Sequence, residues 1–217
     1  MGCKAESLGV DLPKGGVDAV SQEDLKRDMW LMNPPTDPRG VFVSRIQQMH
    51  ALPAFGQAYT ADGGLVCGQK DGALPSGGDA SDLGAVVIGV PLGSDALGDA
   101  MAIAALISLA KTHDTVEPPP KTLLFCLWDL EDGVQRLLAQ PPVPIDSIQA
   151  IVALGPLWSG TVQIEEQDAV QGIRSLSVGS DGLRNTQDRD AIDYRGFADR
   201  VQQVATEMQT RLLQGSG

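Results

Sequence analysis

The sequence predicts an α/β fold, a three-layer α/β/α sandwich with a mostly parallel mixed sheet. Two observations carry this. Residues 83–90, 122–129 and 148–154 are continuous apolar runs, each of strand length, and such runs suit strands covered on both faces. Segments with apolar residues at helical spacing alternate with them, and strands alternating with amphipathic helices form a sheet layered between helices.

The elements follow in order. Residues 1–20 are polar and rich in Gly, Lys and Asp, and read as a flexible N-terminal tether. A single domain is expected over 21–214, with 215–217 as a disordered tail. A helix starts at Ser21, where Asp24 three residues on makes an imperfect capping box. Leu25, Met29 and Met32 recur at helical spacing before Pro34-Pro35 stops the element. A second helix covers Val41 to Met49, and 51–56 connect it onward. Residues 57–67 read as short strands around the Gly63-Gly64 turn, and 68–82 as a Gly-, Ser- and Asp-rich loop. The strand at 83–90 leads into a helix over 96–112, with Leu97, Met101, Ala104, Ala105 and Leu109 on one side. Pro118-Pro-Pro120 marks an exposed connection into the strand at 122–129. A short helix over 131–140 stops at Pro141-Pro142, before the strand at 148–154. Thr161–Glu165 alternates like an edge strand, and Ile173–Val178 is a further strand. The last helix, about 195–213, turns Phe197, Val201, Val204, Met208 and Leu212 to the core. Right-handed crossovers place the strand ends Pro91, Asp129, Gly155 and Ser180 along one edge of the sheet, where open α/β sheets bind ligands.

At 217 residues the chain has enough length for a real core. Its net charge of −12 argues against nucleic acid and anionic membranes as partners, and no apolar run is long enough to span a bilayer. Three cysteines give no even disulfide framework, and Cys126, inside an apolar strand, is expected as a small core residue. Without a C-x-x-C pattern, a cysteine-based zinc site is not expected. Met1-Gly-Cys-Lys resembles a myristoylation start, but Glu6 stands where Ser or Thr is required. Cys3 also fits the acylated cysteine of a mature lipoprotein, which places the chain outside the cytoplasm, periplasmic or tethered to the outer membrane.

The chemically loaded stretch is Thr122–Gly133, a buried strand ending in the acids Glu131 and Asp132. Adjacent carboxylates at a strand end are what a metallohydrolase uses as base and metal ligand. Yet the only histidines are His50, a surface residue following an amphipathic helix, and His113, which ends another helix where a cation is favourable. Asp95 and Asp99 sit where the 96–112 helix begins and suit its N-terminal cap. Neither a Gly-x-Ser-x-Gly elbow nor a Walker-type loop is present.

The order of these pieces resembles the bacterial zinc aminopeptidase family, the co-catalytic metallopeptidases whose relatives include glutaminyl cyclases and the peptidase-like domain of transferrin receptor. Val86–Ser94 resembles the family strand that ends in Gly-Ala-His-x-Asp-Ser, and Ala96–Lys111 resembles the helix that follows it. Leu124–Gly133 resembles the strand ending in Asp-x-Glu-Glu. Ile148–Pro156 resembles the strand ending in Asn-Leu-Asp-Met, and Gly172–Gly196 the closing stretch with its His-Thr pair. The resemblance implies an aminopeptidase-like domain over roughly residues 20–214.

Family enzymes hold two zinc ions with two histidines and three carboxylates, and use one further Glu as base. The same alignment implies that this chain has lost most of that set. The first His position falls on Pro91, its supporting Asp on Gly93, the bridging Asp on Gly98 with Asp99 one residue later, the third-strand Asp on Gly155 and the late His on Asn185. Only the acid pair survives, as Glu131 at the base position and Asp132 at the ligand position. Catalytic zinc needs about three protein ligands and an open position, and Pro and Gly offer no side-chain donor. The expectation is therefore a catalytically inactive, aminopeptidase-like domain with no cofactor that binds a protein or peptide. The alternative is an active metal-dependent aminopeptidase or hydrolase with a zinc site rearranged around Asp99, Glu131, Asp132 and His113. A residual calcium or magnesium site would draw on Asp99, Asp129 and Asp132.

Overall fold

The computed structural model describes residues 19–33, 36–49, 59–60, 65–72, 84–93, 95–113, 119–129, 133–182, 184, 186 and 188–213. The expected tether and tail, Cys3, His50, the 51–56 connector, Glu131, Asp132 and Asn185 lie wholly or largely outside these residues.

Two helices open the fold. In α1 (Gln22–Leu31) the Ser21 hydroxyl caps the first turn by accepting from the Asp24 amide at 3.2 Å. The helix α2 (Pro38–Met49) starts earlier than expected. Pro38 fits a first helical position, and Asp37 accepts from the Arg39 and Gly40 amides. Phe42, Ile46 and Met49, spaced four and three apart, are the buried face of α2.

Among the described residues a seven-stranded sheet follows, in the order β1-β2-β4-β3-β5-β7-β6. Its members are β1 (Tyr59–Thr60), β2 (Val66–Lys70), β3 (Ala85–Leu92), β4 (Thr122–Asp129), β5 (Ile148–Leu154), β6 (Val162–Val170) and β7 (Ile173–Ser180). The central strands β4, β3, β5 and β7 are parallel, while β1, β2 and β6 pair antiparallel at the flanks. Residues 68–70, expected in a loop, instead complete β2 and pair with Phe125, Leu124 and Leu123. The edge strand β6 runs five residues past its expected end, and a two-residue turn with positive φ at Gln171 and Gly172 joins it to β7.

Alternation along β4 defines two cores. Leu123, Phe125 and Leu127 face α1, α2, α3 (Ala96–Thr112) and α5 (Tyr194–Met208, closed by a π turn over Gln209–Leu213). Leu124, Cys126 and Trp128 face α4 (Gly133–Ala139), the one helix covering that side among the described residues. The helical side carries a buried charge cluster. Asp28 on α1 is 1 % exposed and meets Arg45 of α2 at 2.5 Å and Lys111 of α3 at 3.3 Å. The Asp28 Oδ1 atom nonetheless lacks an aligned hydrogen bond, so its contact with Arg45 is an ion pair by proximity.

Two expectations are corrected here. Cys126 is not a lone core thiol, because it forms a disulfide with Cys67, its direct partner across the β2–β4 ladder. The odd cysteine count concealed this pair. His113, expected as a cation at the end of α3, is buried. Burial, with the Lys70 charge second, lowers its pKa to about 4, so it is neutral at physiological pH.

Candidate functional site

The parallel strands bring Leu92, Asp129, Leu154 and Ser180 to one edge of the sheet, and the N-terminus of α3 meets the same edge. Pro91 ends up beside Trp128 in the β3–β4 register, and the chain then turns through Gly93 with φ +122°. That backbone conformation favours glycine, so Gly93 has a conformational duty at this position. Its amide donates to Asp99 Oδ2 at 3.0 Å. Asp95 caps α3, accepting from the Leu97 and Gly98 amides at 2.9 and 2.8 Å. The expected capping role of Asp95 thus holds. Asp99 instead binds back onto the loop that feeds the helix.

Gly155, just beyond β5, donates its amide to the Val178 carbonyl at 2.7 Å. Pro91 and Gly155 share a cleft of about 420 Å³ with Gln163, Glu165, Ser177 and Asp181. The sheet therefore gathers Pro91, Gly93, Gly98, Asp99 and Gly155 at one end, as the strand order predicts. Glu131, Asp132 and Asn185 lie outside the described residues.

Two arginines dominate the electrostatics of this edge. Arg39, at the start of α2, forms an ion pair with Asp129 at the end of β4. Arg184 approaches Asp95 at 3.1 Å and stacks on Trp158, with its guanidinium carbon 5.1 Å from the ring centroid. Trp158 is held in turn by Arg200, which donates to the carbonyls of Leu157 and Trp158 at 3.0 and 2.8 Å. Trp158 therefore covers the sheet edge and also seats a cation. Sequence reasoning missed both Arg39 and Arg184. The available signal was charge pattern, since Arg184 is a lone cation between Asp181 and Asp188.

These residues do not fit a pair of zinc ions. Pro91, Gly93, Gly98 and Gly155 supply no donor side chain. Asp95 and Asp129 are engaged by guanidinium groups, and Asp99 accepts from a backbone amide. Among the described residues no three His, Cys, Asp or Glu side chains are grouped so as to hold one ion. His113 cannot join such a site, because it caps the far end of α3 from Asp99, about 20 Å away at the helical rise. Of the residues named for a calcium or magnesium site, Asp129 pairs with Arg39, Asp99 accepts from the Gly93 amide, and Asp132 lies outside the described residues.

The sequence matches no protein-family model and no curated protein sequence. Solved structures do match. LapA of Legionella superposes with a TM-score of 0.65 at 9% identity, over 88% of this chain and 73% of that one. Glutaminyl cyclase of Porphyromonas gingivalis gives 0.60 at 10% identity, over 90% of this chain and 100% of the other. BSAP, a zinc aminopeptidase from Bacillus subtilis, gives 0.54 at 9% identity, over 70% of this chain and 51% of that one. Identity this low speaks for the fold alone. The element order, the sheet and these superpositions agree that the chain has the zinc-aminopeptidase fold, in the form it shares with glutaminyl cyclases.

Proposed function

We propose that this chain is a catalytically inactive, zinc-aminopeptidase-like domain that acts as a protein- or peptide-binding module outside the cytoplasm. The observation that carries the reading is the fate of the carboxylates at the C-terminal edge of the sheet. Asp129 and Asp95 are neutralised by Arg39 and Arg184 at the edge where the fold's enzymes hold their ions, and three ligand positions and one supporting position are Pro or Gly. Without a metal to acidify water, the base position Glu131 has no proton to remove. The extracytoplasmic placement is supported by the Cys67–Cys126 disulfide, since such bonds persist in oxidising compartments. No helix of the described residues is long and apolar enough to cross a membrane, so tethering falls to an acylated Cys3 in this reading.

The test is elemental analysis with a turnover assay. Purified protein is expected to carry less than about 0.2 zinc per chain, well short of one occupied site, and to leave aminoacyl-nitroanilides and N-terminal glutaminyl peptides unchanged. Stoichiometric zinc, with turnover abolished in Glu131→Gln, is the result that overturns it.

A further inference from the structure

We propose that the outer edge of β6, with the cleft beside it, accepts an extended peptide rich in lysine or arginine as an eighth strand of the sheet. This rests on the reading of the chain as a binding module and names the chemistry of its partner. The strand β6 ends the sheet order, so every second residue turns its N–H and C=O away from β7, toward an empty side among the described residues. Pairing to β7 is regular from Val162 to Gln167, and the register shifts only beyond that. The regular stretch offers six residues, enough for a short strand.

The neighbouring cleft lies on the face covered only by α4 among the described residues. Its floor is small, with Ala153, Gly155, Ser177 and Gly179, so side chains of an added strand have room to lie across it. Ser180 at the end of β7 also borders it.

Charge selects the occupant. The middle of β6 reads Glu165-Glu166-Gln167-Asp168, all exposed. Arg174 takes Glu166, while Glu165 and Asp168 have no ion pair among the described residues. Among the described residues the cleft is lined by Glu165 and Asp181 and by no lysine or arginine. On the cleft face an added strand meets Glu165 and Asp181, while Glu166, which points to the opposite face, is already held by Arg174. A second copy of this chain is disfavoured, since edge-to-edge pairing would set like charges opposite one another. An extended cationic segment satisfies the backbone and the carboxylates together.

The experiment titrates ¹⁵N-labelled protein with an acetylated, amidated octapeptide of alternating Lys and Val. The largest amide shifts, and slowed hydrogen exchange, are expected over 162–167. Glu165→Gln with Asp168→Asn, both exposed and harmless to folding, should weaken binding by about fivefold. N-methylation of alternate peptide amides should abolish it. The inference is overturned if the Glu-Val counterpart binds equally well, if the shifts fall elsewhere, if no peptide binds, or if β6 signals change with protein concentration alone. Each of those outcomes leaves the inactive-domain reading standing. Turnover of an aminoacyl-nitroanilide sinks that reading without touching this one.

Discussion

Removing the Cys67–Cys126 bridge by Cys67→Ala with Cys126→Ala should cost about 4 kcal/mol of stability. The figure comes from the chain rather than from the bond. The two residues are 59 apart, and releasing a loop of that length returns about this much entropy to the unfolded state at 25 °C. The bridge staples β2 to β4 at paired positions, and both cysteines are about 1 % exposed or less. Reductant therefore reaches the sulfurs only when β2 opens. Urea unfolding followed by tryptophan fluorescence reads the effect, since the chain has three tryptophans. The double variant should unfold at lower urea, and its slope should rise because an uncrosslinked unfolded chain exposes more surface. Thiol titration gives an independent check. Of three cysteines, at most one should react in denatured, unreduced protein, and three after reduction. Three reactive thiols without reductant, or a loss of stability below about 1 kcal/mol, would refute the reasoning.

Other expectations concern buried charge. His113 takes up no proton in the folded state until about pH 4, whereas the unfolded chain does so near 6.5. Stability should therefore fall as pH drops from about 6.5 to about 4, by about 3 kcal/mol in all, and level off below. The variant His113→Gln should flatten this window in urea midpoints, and parallel curves for the two proteins would count against it. Asp24 acts lower on the scale. Burial opposes its ionisation, but Lys111 and Arg27 outweigh that and hold its pKa below 3.8, so its contribution is present above that value and lost in stronger acid. At Asp28, exchange for Asn leaves Arg45 and Lys111 without their buried counter-charge and should cost about 3 kcal/mol. A urea midpoint indistinguishable from the parent would show that the cluster contributes nothing.

What the sequence made legible depends on burial. The apolar runs of β3, β4 and β5 and the long stretch of α3 are covered from both sides, and each was placed to within about two residues. Polar edges were harder to read. The strand β6 was cut short because Glu166 to Ala169 are exposed, and an exposed edge has no hydrophobic pattern to declare it. The start of α2 was missed although Asp37-Pro38 is a readable cap signal. At the candidate site, the strand ends and the helix caps followed from topology. The arginines did not, because the pairing of Arg184 with Asp95 spans 89 positions and depends on a loop with no periodicity. The disulfide was hidden for the same reason, since it is set by the register of β2 against β4.

The first and last helices lie side by side. The amide of Val20 donates to Gln202 at 2.9 Å, Arg189 reaches the carbonyl oxygens of Met29 and Met32, and α1 packs directly against α5. During synthesis α1 emerges before both of its helical neighbours, α3 in mid-chain and α5 near the end of the domain. One face of α1 can therefore dock on α3 midway, while the face that meets α5 stays open until nearly the whole domain has left the ribosome.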